Sequence, residues 1–453
     1  MSLSGDRTFI GFGFGAIEAG LFLYEAFHSG QFRRLIVAEI MSDAVDALRA
    51  SGGLYTVNVA YGDRVEAEVI GPIEALNPEN ARDRERLVSA IAEAEELATA
   101  LPSVKCYVSA TPGSVHKLLA EGLTRKCESK GPPAIVYAAE NNNHAAEILE
   151  DAVLGAAEPS EAANIRSRIS YLNTVIGKMS GVVGAKEIKE RNLAPVTPHE
   201  QRAFLVESFD RILISKLPDS GFTRGITVFE EKPDLLPFEE AKLYGHNSTH
   251  AVAAYLGAFL GEARISDLKK YPGIQNFLEC AFIQESGAAL TQKYQNTDPL
   301  FTAEGYRAYA KDLLVRMFNL YLGDTVERVA RDPARKLEWD DRLVGTIRLC
   351  LRHGIDPRRY AIGAAAAVAA LDPSVLSTGQ VLDCIMQKLW ANSASNRLER
   401  SAVLNAIEKG GEMLKLWRYS GYPDLERFVS EERAGNKRES LGKVPEPDDA
   451  QSE

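Results

Sequence analysis

The chain has 453 residues, too many for one ordinary core, and length alone suggests roughly two to four domains. It is 45% hydrophobic and 25% charged, the balance of a globular enzyme, and a formal net charge of −11 makes it a poor non-specific partner for nucleic acid or an anionic membrane surface. Net acidity does not exclude an anionic small-molecule substrate, because a local cluster of Arg and Lys can still bind one. The five cysteines, Cys106, Cys127, Cys280, Cys350 and Cys384, are scattered, odd in number and form no CxxC pair. No thiolate zinc site is therefore expected, and the pattern reads as reduced thiols in a cytoplasmic protein. The start, MSLSGDRTFIGFG, has no signal-peptide pattern. The most apolar run, Ala361 to Leu371, is far shorter than the roughly 20 residues of a membrane span. It predicts a buried helix whose alanines permit close packing. Neither nucleic acid nor a membrane is expected as a partner, and a monomer or small homo-oligomer is.

In the first third, short apolar runs alternate with amphipathic helical patterns. Strands are predicted at Arg7–Phe12, Leu35–Ile40, Leu54–Val59, Val65–Ile70, Lys105–Ser109 and Ala134–Ala139. Helices are predicted at Ala16–Ser29, at Ser42–Ala50 with Ser42 as N-cap, at Arg82–Ala100 and at Ser114–Glu128. Such alternation implies a mostly parallel, doubly wound sheet. From about residue 198 helical patterns dominate: Pro198–Ser215, Phe238–Gly261, Tyr271–Tyr294, Ala303–Leu322, Trp339–His353, Tyr360–Ala370, Ser377–Ala391 and Asn396–Tyr419. The predicted architecture is an α/β, Rossmann-type dinucleotide-binding domain over residues 1–197, then a mostly α-helical substrate domain over 198–430. An acidic tail, 431–453, is too polar to form a core.

The segment RTFIGFGFGAIEAG falls at a strand-to-helix turn, where glycines let the backbone approach a pyrophosphate resting on the helix N-terminus. Two registers fit. One, Gly11-x-Gly13-x-x-Ala16, matches the GxGxx[G/A] pattern. The other, Gly13-x-Gly15-x-x-Glu18, puts Glu18 where the third Gly belongs. Glu39, which ends the run LIVAE, lies nearer the usual spacing from Gly13 and favours the second register, with Gly13, Gly15, Ala16 and Ile17 at the cofactor. An acid at Glu39 accepts hydrogen bonds from the adenosine ribose hydroxyls and repels a 2′-phosphate, so NAD is preferred to NADP. The plain alternatives are an ordinary turn and an exposed acid after a strand. A carboxylate at Glu18 opposes a nearby pyrophosphate unless it points away, and it removes a glycine that lets helix and strand pack closely.

The segment KLYGHNSTHAVAAYLG, Lys242 to Gly257, carries the richest chemistry. Asn247 and His250, three apart, are neighbours if they share a helix. A lysine partly stripped of water can take a hydroxyl proton, and an asparagine can donate to the resulting alkoxide. Polar residues at a helix start also serve as caps or solvated side chains. The segment closely resembles the K-L-x-x-x-N-x-x-H-x-x-x-A-Y-L-G signature of the mannitol dehydrogenase family of long-chain polyol dehydrogenases, which includes the mannitol-1-phosphate 5-dehydrogenases. Phe12-Gly13-x-Gly15-x-Ile17-x-x-Gly20, Val37-Ala38-Glu39, Glu140-Asn141, Glu285-Ser286-Gly287-Ala288 and the block from Asp324 to Leu337 resemble further family blocks in the right order, over about Phe9 to Ala370. Departures are Ala139 for Cys, Glu18 for Gly, Leu320 for Pro and Gly245-His246 for an apolar pair.

The resemblance implies NAD-dependent oxidation of a sugar alcohol or its phosphate, and the reverse reduction, without a metal. It implies Lys242 as general base, Asn141 and Asn247 polarising the substrate oxygen, and His250 orienting the reacting groups. The basic block Arg328, Arg331, Arg335 and Lys336 reads either as a solvated, salt-bridged face or as a clamp for a phosphate or the far hydroxyls. His246 is expected to be structural, and His144 to lie in a surface loop or beside the nicotinamide. The alternatives are a reductase for an unphosphorylated hexitol or uronate and a dinucleotide-binding sensor without turnover.

Overall fold

The computed structural model describes residues 5–431 apart from 199, 210, 218–220, 377–378, 392 and 394–396. The acidic tail from 432 onward lies outside the described residues. The chain divides into two compact units, Met1–Glu239 and Glu240–Glu453.

In the first unit the strands are β1 (Arg7–Phe12), β2 (Phe32–Ala38), β3 (Tyr55–Ala60), β4 (Val65–Ile70), β5 (Glu74–Leu76), β6 (Glu96–Thr99), β7 (Ala134–Ala138), β8 (Ile169–Val175), β9 (Ser180–Gly184), β10 (Arg202–Glu207), β11 (Leu213–Ser215) and β12 (Glu230–Lys232). The larger sheet has the order β12-β11-β8-β7-β6-β1-β2-β5. From β5 to β8 all pairs are parallel. This inner part runs 3-2-1-4-5-6 in its own sequence order, the doubly wound dinucleotide-binding arrangement with its switch point beside β1. A second sheet, β4-β3-β10-β9, lies in the same unit. Phe14 joins the side chains of this second sheet, its ring meeting Tyr55 and Phe204 edge-on at 5.2 and 5.3 Å.

Five expectations are corrected in this unit. No described residue of Pro198–Ser215 is helical: Ala203–Val206 is a fully buried apolar run that pairs with β3 on one side and β9 on the other. A strand covered on both faces shows no alternation and is hard to tell from a buried helix turn by pattern. For the same reason the division between units falls at 239/240 and not at 197/198, since β10, β11 and β12 all belong to the sheets of the first unit. The helix predicted to run to Ala100 ends at Glu93, where Ala94 turns extended and feeds the short, wholly buried β6. The predicted strand at Lys105 is a 3₁₀ turn, Val104–Tyr107, and Met41 replaces Ser42 as the N-cap of its helix.

The second unit is helical. Its helix Arg358–Leu371 buries Ala361 and Ala364–Ala367 against Ser248–Leu260 and Arg397–Tyr419, as the alanine-rich run predicts. The segment after Ala370 is part of this core: Trp390, Val403, Ile407, Leu414, Trp417, Leu425 and Val429 are all buried in it. No described helix is long and apolar enough to cross a membrane, and all five cysteines are free.

Candidate functional site

The glycine turn follows β1. Gly11 lies within that strand, paired with Val37 and Ala98, so the register starting there cannot form the turn. Gly13 takes a φ of 91°, a conformation favouring glycine, and its amide donates to the Ala38 carbonyl at 2.8 Å. A Cβ built on Gly15 would meet no atom within 4 Å, so that side of the turn is open for close approach of a ligand. Ala16 and Ile17 begin the first helix. The residues present therefore fit a pyrophosphate at the turn. Glu39 closes it from the other side, accepting hydrogen bonds from the Phe14 and Met41 amides, both at 2.8 Å. Besides the acceptor expected for a ribose, Glu39 thus ties the turn to the end of β2. Exposed Ile40 and Met41 beside it present an apolar face on which a purine can lie.

Glu18 does not reach the turn. It starts a π-helical segment, Glu18–Phe22, and is fully buried. Its carboxyl group occupies the space above Gly11, where a Cβ would come within 2.5 Å of the Glu18 Cδ. The glycine missing from the helix is thus compensated by one in the facing strand. After β7, Glu140 is buried and accepts from the Thr99 hydroxyl (3.0 Å), the Leu101 amide (2.9 Å) and the Tyr107 hydroxyl. Asn141 and His144 follow it and are exposed, His144 as the N-cap of the helix Ala145–Ala156.

In the second unit Lys242 and Asn247 both lie on a π-helical segment, Ala241–Asn247, which runs into the helix Ser248–Leu260 carrying His250. In an α-helix, residues five apart point about 140° away from one another. The i→i+5 bonding of a π-helix sets them one turn apart, and such segments are frequent at functional sites. Lys242, Asn247 and His250 are therefore brought towards a common face, each half-buried. Gly245 permits the approach of Phe282, whose Cε2 would stand 2.7 Å from a Cβ there. This explains the small residue where the resembled family has an apolar one. His246 is buried, and burial together with the positive charge of His250, Arg316, Lys242 and Arg342 holds it neutral, well below the usual imidazole range. Its ring stacks on His250 at 6.0 Å.

His250 Nε2 stands 3.0 Å from Oδ2 of Asp324, a buried carboxylate that also pairs with Arg328. The role of Asp324 is not legible in the sequence, where its position opening the block before Arg328 was the available signal. The rest of the basic block is largely engaged. Arg335 pairs with Asp332 (3.1 Å) and Asp341 (3.4 Å). Lys336 is buried, donates to the Arg331 carbonyl, and is lowered to about 8 by burial and then by Arg342 and Arg335. Arg331 is exposed and has no ion pair among the described residues. No group of three or more His, Cys, Asp or Glu side chains among the described residues is placed to hold a metal.

Residues 7–217 match the Rossmann domain of mannitol dehydrogenases, and residues 234–413 match the mannitol dehydrogenase C-terminal domain. The chain is 31% identical to a mannitol-1-phosphate 5-dehydrogenase of Bacillus licheniformis over 360 residues, 79% of this chain and 86% of that one. It is 30% identical to its namesake from Bacillus velezensis over 395 residues, 85% and 92% of the two chains. Among solved structures, the mannitol 2-dehydrogenase of Pseudomonas fluorescens in a ternary complex with NAD and D-mannitol shares the fold at a TM-score of 0.68 and 17% identity, over 95% of both chains. A D-sorbitol dehydrogenase does so at 0.72 and 15%, over 93% of this chain and 95% of that one.

Proposed function

The chain belongs to the mannitol dehydrogenase family, and on that premise we propose that it oxidises a sugar alcohol phosphate to the ketose phosphate with NAD, and runs the reverse reduction. Gly13, Gly15 and Glu39 would hold NAD, which would supply the acceptor for the hydride of the carbinol carbon. Lys242 takes the hydroxyl proton. Asn247 donates a hydrogen bond to the alkoxide oxygen, where charge develops. His250, steadied by Asp324, orients the substrate. The observation that carries this reading is the π-helical turn that sets Lys242 and Asn247 towards the face of His250, with His250 backed by a buried carboxylate. The phosphorylated substrate is supported by the relatives' names and by positive charge from Lys242, Arg316 and Arg342 around His246. Arg331, exposed and without an ion pair among the described residues, is the cation of the basic block left to meet an anion.

NADH formation followed by absorbance over paired polyols and polyol phosphates tests this. A higher kcat/KM for a hexitol phosphate than for its free hexitol is expected. The opposite order transfers the assignment to an unphosphorylated substrate, and no turnover with any of them leaves the sensor reading. Glu39→Ala should weaken NAD binding by about tenfold or more, because a charged acceptor is lost both to the ribose and to the Phe14 amide. It should also narrow the NAD over NADP preference, and an unchanged preference ratio in titrations of both cofactors would place the ribose elsewhere.

A further inference from the structure

Glu18 is a buried ionisable group that the proposed mechanism does not use. It lies in the first helix behind the glycine turn, fully enclosed, and neither carboxyl oxygen has a hydrogen-bond partner among the described residues. Gly11 of β1 lies beneath it. Tyr55 of β3 faces it, with its hydroxyl already committed to the Ala19 carbonyl at 2.8 Å. The Glu140 carboxyl is the charged group that acts on it, and that acid is itself occupied by Thr99, Leu101 and Tyr107. No cation among the described residues offsets a charge at this place. A lone carboxylate in such surroundings is strongly disfavoured, and the group takes up a proton instead.

We propose that Glu18 is a positioning residue for the dinucleotide, seated as a neutral acid above Gly11, and that cofactor binding is coupled to the proton it carries. The coupling rests on the assignment of NAD to this turn. The first helix offers its positive N-terminal end to the pyrophosphate. A neutral Glu18 leaves that end intact and fills the gap left by Gly11. Ionisation places an anion in the same helix turn, opposes the pyrophosphate, and drives the side chain out of the space that supports the turn. Binding and protonation therefore favour one another, by linkage.

The stability consequence has a definite sign. Burial raises Glu18 well above 4.5, so from about pH 4.5 upward the folded state keeps a proton that the unfolded chain has released. Glu18 thus lowers stability progressively as pH rises through that window, and the isosteric Glu18→Gln removes this loss. The test uses the full chain and the Glu18→Gln variant. Thermal unfolding at several pH values should show the variant more stable near neutrality, with the gap closing towards about pH 4.5. Calorimetric titration of NAD over a pH series upward from about pH 5 should show the wild-type affinity falling as pH rises, on the order of tenfold for a one-unit pKa coupling, while the variant's slope is flatter. Parallel slopes overturn the coupling, and a pH-independent stability gap overturns the neutral acid. If neither protein binds NAD at any pH, the cofactor assignment fails and takes the coupling with it, whereas the stability series still reports the proton on Glu18.

Discussion

Lys242→Ala should lower kcat by about 10²–10⁴-fold, the usual contribution of a general base, while leaving the dissociation constant of NAD unchanged. The residue sits on the second unit's π-helical segment, and the glycine turn and Glu39 lie in the first unit on β1 and β2. The two measurements therefore separate chemistry from cofactor binding. Loss of the base should also remove the acidic limb of the pH–rate profile for alcohol oxidation, because that limb reports the group that must be deprotonated before it can accept the hydroxyl proton. A variant that keeps turnover within about twofold of wild type, or that loses NAD binding in proportion, takes Lys242 out of this role.

The second large effect is on stability. Arg359, at the start of the alanine-rich helix, is buried between two carboxylates. It donates to Glu285 at 3.0 Å and, through two nitrogens, to Glu426 at 2.6 and 2.8 Å. Glu285 also accepts the backbone amides of Arg359 and Tyr360. Glu426 belongs to the segment beyond residue 413, where the family resemblance stops, and Arg359 ties that segment to the helices of the second unit. Burial already pushes the Glu285 carboxyl up against the pull of the guanidinium. Arg359→Met keeps the apolar stem and deletes the charge, leaving two buried acids without their counter-ion. A loss of about 3–5 kcal/mol is expected, read as a fall in the unfolding midpoint in urea. Adding Glu285→Gln and Glu426→Gln should recover most of it. A single variant as stable as wild type would mean that the acids were already neutral.

The network reaches the candidate site. The Tyr360 hydroxyl is 2.7 Å from Thr249 and 2.9 Å from Ser286. Thr249 lies between Asn247 and His250, so the segment after residue 370 bears on the helix that carries the proposed chemistry. Nothing in the sequence pattern of that segment points there, because ion pairs between residues 67 positions apart leave no local periodicity.

The sequence by itself determined the class of fold, the glycine turn and its register, the acid at the end of β2, the family, and the order of most helices. These are local features: a strand-to-helix turn needs glycine within a few residues, and an amphipathic helix advertises its period. Only the tertiary structure decided the rest. Ala203–Val206 became a strand because β3 and β9 pair with its two edges while both its faces are buried, which no local pattern records. Asp324 acquired a role because folding brings it beside His250, 74 positions earlier, and much of the basic block lost its freedom to neighbouring acids. Lys242 and Asn247 came towards one face through a π-helical turn, a change of hydrogen-bond spacing that leaves the residue pattern unaltered. Glu18 stands out in the sequence as a misfit in the glycine pattern. Its consequence depended on Gly11 in the facing strand, whose missing side chain makes the room that the acid fills.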